Sequence, residues 1–212
     1  ALDNDVTSVL IMIDGEGQLG NMDEKARIQA VENHYKWVNA AKFLGCHSIR
    51  VNAATAGGME ESMPMATDGL RRLSEYAAKE NINVIVENHG GWSSNGEWLA
   101  KVIAGTEMKN CGTLPDFGNF CLERTPTGCA NEYDRYQGMK DLMPYAKAVS
   151  AKSNDFNAEG EEIHTDFGKI LATAKDAGYR GWIGVEYEGK ELSEAEGVIK
   201  TRDLLLKHGG ML

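Results

Sequence analysis

Histidine and positive charge are both scarce in this chain. Its 212 residues hold 5 His, and 22 Lys plus Arg stand against 32 Asp plus Glu, a formal net charge of −10. Binding nucleic-acid phosphates or an anionic lipid surface requires clustered Lys and Arg, so both partner classes are excluded. The same balance suits divalent cations, whose ligands are carboxylates. No stretch approaches the roughly 18–20 uninterrupted apolar residues of a transmembrane helix. The first residues, Ala1 to Asp5, carry neither a basic region nor an apolar one of the kind that opens a signal peptide. A soluble chain is expected, with the cytoplasm favoured. The four cysteines, Cys46, Cys111, Cys121 and Cys129, form no C-x-x-C pair, which removes the zinc-knuckle and thioredoxin-like readings. Cys46, in a helix-to-strand turn, reads as a small buried hydrophobe. Cys121 and Cys129 flank a loop and could pair in an oxidising compartment.

What is present is ordinary for a globular protein, with 42% apolar and 25% charged residues. No linker or low-complexity segment divides the chain, so residues 1–212 read as a single domain. Apolar runs alternate strictly with helical patterns. Strands are expected at Val9–Ile13, Ser48–Asn52, Asn83–Val86, Cys111–Asp116, Ala146–Lys152 and Trp182–Tyr187. Helices are expected from Asp23 to Phe43, Ala66 to Lys79, Glu97 to Ala104, Tyr133 to Met143, Thr165 to Ala177 and Ser193 to Lys207. Strict alternation with short apolar strands means a parallel sheet covered by helices, as an open doubly wound sheet or as a barrel. In the open form a glycine-rich phosphate turn usually follows the first strand. Here Asp14-Gly15-Glu16-Gly17 carries two acids that would repel a pyrophosphate.

Three strands end on a carboxylate: Glu87, Asp116 and Glu186. In a barrel, strand ends converge on one mouth, where α/β enzymes build their sites. Three converging carboxylates repel one another, and a divalent cation with oxygen ligands is an economical way to neutralise them. The alternative is three unrelated strand-end acids, each solvated or paired with Lys or Arg.

The stretches Val86-Glu87-Asn88-His89-Gly90-Gly91, Thr113-Leu114-Pro115-Asp116-Phe117-Gly118-Asn119-Phe120, Ser150-Ala151-Lys152-Ser153 and Gly184-Val185-Glu186-Tyr187-Glu188-Gly189 resemble the xylose isomerase-like TIM-barrel superfamily. Within it they are most similar to the sugar phosphate isomerase/epimerase branch. The resemblance implies a (β/α)8 barrel of the α/β class and one divalent metal ion (Mn, Mg, Co or Zn). It implies metal ligands at Glu87, Asp116 and Glu186, of which Glu87 and Glu186 double as the catalytic acid–base pair. The fourth ligand of the family is a His, and Ser150 stands in its place here. Counting back from Glu87, Val9–Ile13 takes the place of the third strand. The first two strand–helix units are then missing, leaving about six parallel strands with outer helices. Val9–Ile13 should lie at an open edge or a subunit contact, and a homo-oligomer is expected.

The implied activity is isomerisation or epimerisation of a sugar or sugar phosphate, by proton transfer next to a carbonyl through an enediolate. His89, Asn119, Lys152 and His164 are candidate substrate contacts. Lys152 is equally readable as a salt-bridge partner of Asp116 or Glu186, and His164 as an exposed residue at a helix start. Arg50 reads as structural in preference to a further substrate contact, and Trp92 and Trp182 as packing or as apolar platforms for a sugar ring. Two alternatives stand beside the isomerase. One is a degenerate, non-enzymatic carbohydrate-binding barrel, favoured by the missing His and the missing strands. The other is a metal-dependent phosphodiesterase of the apurinic endonuclease branch, disfavoured by the acidic charge and by too few His.

Overall fold

The computed structural model describes residues 2–209. Eight strands and six helices follow the chain in the order β1 (Leu10–Met12), α1 (Glu24–Leu44), β2 (Ser48–Val51), α2 (Met59–Lys79), β3 (Asn83–Glu87), α3 (Gly96–Gly105), β4 (Cys111–Leu114), β5 (Cys121–Thr125), β6 (Gly128–Glu132), α4 (Arg135–Leu142), β7 (Val149–Ser153), α5 (Phe167–Asp176), β8 (Ile183–Tyr187) and α6 (Glu194–Gly209).

Local chemistry fixes many of the boundaries. Asp23 caps α1 by accepting from the Ala26 backbone N–H at 2.8 Å, and Gly45 ends it in the left-handed region at φ 76°. Asn95 and Asp166 cap α3 and α5 in the same way. Helix α2 begins seven residues earlier than its apolar pattern suggests, and Pro64 lies inside it. Close to the start of a helix a proline forfeits few backbone bonds, so it need not mark a boundary. Its face Leu70, Leu73 and Ala77 is fully buried, as the periodicity requires. Phe43 continues the apolar pattern of α1 yet is 89% exposed.

Six strands run parallel. β1-β2-β3-β4 form one ladder and β7-β8 another. Bridges from Thr113 to Ala146 and from Asp116 to Ser150 join the two ladders. The seam needs glycine at Gly112, where a Cβ would sit 2.5 Å from the Tyr145 carbonyl oxygen. The result is an arc, β1-β2-β3-β4-β7-β8, open between β8 and β1. A cavity of about 690 Å³, lined among others by Val6, Leu10, Met12, Leu114, Trp182 and Glu186, occupies the opening. The expected open edge at the first strand is therefore present among the described residues.

Residues two apart in a strand share a face. One face, with Ile49, Val51, Val84, Val86, Val149 and Ala151, packs into the main core under the helices. The other looks into the arc, where Leu10, Ile85, Leu114 and Ala148 form a small separate apolar floor. Two residues further along the same strands come Met12, Glu87, Asp116 and Ser150, so the next layer is largely polar. Alternation alone thus lifts the carboxylates to the carboxyl end of the arc.

The segment after β4, expected as a loop, is an antiparallel hairpin of β5 and β6, stapled by a Cys121–Cys129 disulfide. The hairpin is mostly polar and largely exposed, without the alternating apolar pattern that marks a half-buried strand.

Candidate metal centre and its surroundings

Strand β3 places Glu87 at its last position, with the carboxylate 1% exposed. Asp116 follows β4 by two residues and is fully buried. Glu186 is the fourth residue of β8, and its side chain is 32% exposed. One carboxylate oxygen from each lies within 4.8 Å of the others. The convergence expected from three strand ends is therefore realised.

Each acid is held differently. Glu87 Oε1 accepts from Asn119 Nδ2 at 3.3 Å. Arg50 Nε stands 2.9 Å from Glu87 Oε2, an ion-pair contact off the hydrogen-bonding direction, so both atoms keep bonding capacity in reserve. Burial raises the Glu87 pKa, and the Arg50 charge works against that rise. Asp116 Oδ1 accepts the backbone N–H groups of Gly118 and Asn119 at 2.9 and 2.8 Å. Its Oδ2 is buried with no hydrogen-bond partner among the described residues. Burial pushes the Asp116 pKa up to about 7, against the pull of Lys152. Glu186 Oε2 accepts from the Ser150 hydroxyl at 2.8 Å, and Glu186 Oε1 lies 3.2 Å from Lys152 Nζ.

Lys152, 5% exposed, also reaches Glu188 at 3.1 Å and donates to Asn119 Oδ1 at 3.2 Å. Burial opposes its charge, but Asp116, Glu186 and Glu188 outweigh burial and hold its pKa above the ordinary value. The salt-bridge reading of Lys152 is the one seen here, with Glu186 as its partner. Arg50 is held as the structural reading expects, by Glu87. It also binds Asp14 Oδ1 at 2.8 Å and so links two acids.

Asn88 is the residue the sequence reading passed over. It is fully buried. Its Oδ1 accepts from the Asp116 N–H at 2.7 Å, and its Nδ2 donates to the carbonyls of Asp116 and Asn119 at 3.0 and 3.3 Å. One side chain thus fixes the turn that aims Asp116. Asp14 was legible by the same rule that found the trio, because it too closes an apolar strand.

The other histidines are dispersed. His89 is exposed and lines a cavity of about 450 Å³ with Asp14 and Trp92. His164 is exposed and lines a different cavity with Tyr136, Glu161 and His208, so the structure does not bring it to the trio. His34 bonds the Ala30 carbonyl, and His47 the Ser48 hydroxyl. Trp92 donates its indole N–H to the Gly57 carbonyl, while Trp182 is 60% exposed at the open flank.

The residues present fit a divalent ion. They offer three convergent carboxylates, two of them, Glu87 and Asp116, with a buried oxygen that has no hydrogen-bond partner among the described residues. The donor set is all oxygen, which suits a hard cation such as Mg²⁺ or Mn²⁺ better than a soft one.

Comparison with known proteins adds a family and a fold. A family profile described as xylose isomerase-like TIM barrel matches residues 3–208. An inosose dehydratase of Geobacillus thermodenitrificans (strain NG80-2) is 26% identical over 146 residues, 61% of this chain. The chain spans about half the length of that curated relative, 48%. The crystal structure of a D-tagatose 3-epimerase-like protein superimposes with a TM-score of 0.75 at 18% identity, covering 99% of this chain and 79% of that one. A xylose isomerase-like TIM-barrel protein from Mycobacterium smegmatis, in complex with magnesium, gives 0.72 at 14% identity, covering 100% and 76%.

Proposed function

The chain belongs to the xylose isomerase-like TIM-barrel family, and on that premise we propose that it is a divalent-metal-dependent sugar isomerase or epimerase. The observation that carries the reading is the Glu87–Asp116–Glu186 cluster, its oxygens within 4.8 Å of one another on three strand ends. A divalent ion, when bound, supplies Lewis-acid stabilisation of the negative charge that develops on the substrate oxygens. Glu87 and Glu186 take and return the proton next to the carbonyl. The sharing of Glu87 with Arg50 and of Glu186 with Lys152 keeps each carboxylate oriented. Asn119 presents its second amide N–H to a substrate hydroxyl, Lys152 reaches one by exchanging a carboxylate partner for it, and His89 stands at the mouth. Asp116 is the anchoring ligand, and the Asn88 clamp holds it in place.

The test is elemental analysis and Mn²⁺ titration of the purified protein, with interconversion of ketose isomers followed by chromatography. One ion per chain, lost in Asp116→Asn, together with turnover lost in Glu87→Gln, supports the reading. An ion-free protein with no turnover overturns it.

One observation favours the second reading, a carbohydrate-binding barrel without catalysis. Arg50 and Lys152 already offset much of the acidic charge without an ion. That protein would bind sugar with no metal requirement. The unpaired edges of β1 and β8 further support self-association, since an edge strand presents a row of free backbone groups. Sedimentation across a concentration series tests it.

A further inference from the structure

The cavity of about 450 Å³ beside the carboxylates is lined in part by Asp14, Asn52, Thr55, His89, Gly91 and Trp92. Arg50 joins it to the trio, with Nη1 on Asp14 and Nε on Glu87. Resting on the sugar reading above, we propose that this cavity is the subsite for the uncharged, polyhydroxyl end of the substrate, and that it rejects a phosphorylated end.

The polar lining is rich in acceptors. Asn52 Oδ1 is buried without a hydrogen-bond partner among the described residues. The Asn52 amide gives one N–H to Asp14 Oδ1 at 2.6 Å. The Asp14 side chain is 65% exposed and faces open space. Burial opposes its charge, but the bonds from Asn52 and Arg50 prevail and hold its carboxyl below the ordinary value, so it is ionised at neutral pH. An unpartnered amide oxygen and a carboxylate both call for hydroxyl donors.

A fixed positive charge for a phosphate is lacking. Among the described residues no Lys or Arg lines the cavity, and Arg50 is engaged by two carboxylates. The turn at Gly90 and Gly91, with φ of 87° and 56°, is the kind of backbone concavity that cradles anions elsewhere. Here the N–H groups of His89 and Gly90 are spent on the hydroxyls of Ser93 and Ser94 at 3.2 and 2.9 Å. The Trp92 ring, fixed by its bond to Gly57, offers an apolar face to the C–H side of a sugar.

Calorimetric titration of the protein with D-fructose and D-tagatose, and with the terminal phosphate ester of each, tests the assignment. The free sugar of at least one pair is expected to bind about tenfold tighter or more, since like charges brought together in a site are strongly disfavoured. Asp14→Asn should narrow that ratio. Asn52→Leu should weaken the free sugar by about tenfold while leaving the Mn²⁺ titration unchanged. Phosphate esters that bind as tightly as the free sugars overturn the subsite and leave the isomerase reading intact. If none of the four ligands binds, the subsite and the sugar reading fall together.

Discussion

Glu87 and Glu186 carry the same functional group and approach the same point, yet the arc treats them oppositely. β3 lies mid-arc with a neighbour on each side, and four of its five residues are buried. Among the described residues β8 pairs only with β7, and it has no buried residue. Glu87 is therefore desolvated and leans on the buried Arg50. Glu186 stands a third exposed and draws on Lys152 and Ser150. Position in the sheet, rather than residue type, decides how much of a carboxylate's charge the protein must neutralise.

The sharpest test of that contrast substitutes each acid. Glu87→Gln and Glu186→Gln should both lower kcat/KM by about 10²–10⁴-fold, the usual worth of a general acid or base. Their stabilities should diverge. Breaking the buried pair at Glu87 should cost about 3 kcal/mol in urea unfolding. Loss of the partly exposed pair at Glu186 should cost under about 1 kcal/mol. Equal losses would break the comparison.

Asn88→Ser extends it to the clamp beneath Asp116. Groups that orient a ligand typically govern about 10–100-fold in metal affinity, so Mn²⁺ binding should weaken by that factor. Leaving buried backbone groups unpaired should also cost about 2 kcal/mol.

Asp116 sets a pH dependence on the buried side. Its pKa is raised to about 7 in the folded state. The folded chain then holds that proton more tightly than the unfolded chain. The stability this supplies is present below the unfolded value, about 4, and is lost as pH rises through about 7. A bound cation requires the charged form. Mn²⁺ affinity should therefore fall by up to about tenfold for each unit below pH 7. The gain in Tm on adding Mn²⁺ should be larger at about pH 8 than at about pH 6, and Asp116→Asn should abolish the difference.

The smallest effect is expected at the open flank. Trp182→Ser should change monomer stability by no more than about 0.5 kcal/mol, as exposed substitutions do. It should also weaken concentration-dependent association in sedimentation. A large loss of monomer stability would show that the edge strand is as tightly held as the centre.

The parallel alternation, most helix ends and the three carboxylates were legible because each rests on a short-range signal. Strands read as apolar runs, helix starts as Asp or Asn caps, and the site as charge at a strand end. The β5–β6 hairpin was not legible, because its residues are polar and exposed. Asn88 and Arg50 were visible but not readable. Their roles depend on partners 28 and 36–37 positions away, brought close by the barrel pairing. His164 follows β7 as a ligand might, yet its loop leads it to another cavity.

The opening between β8 and β1 bears on the fate of a single proton. Its cavity is lined by Glu186 and Ser150 as well as by apolar residues, so solvent reaches the carboxylate layer from the flank. Glu87, 1% exposed between two neighbouring strands, does not line that cavity. In deuterated water, hydrogen returned by Glu186 should carry the solvent label almost completely, and hydrogen returned by Glu87, taken up in an earlier turnover, should carry less of it. The direction of the reaction would then be written in the isotope content of its product.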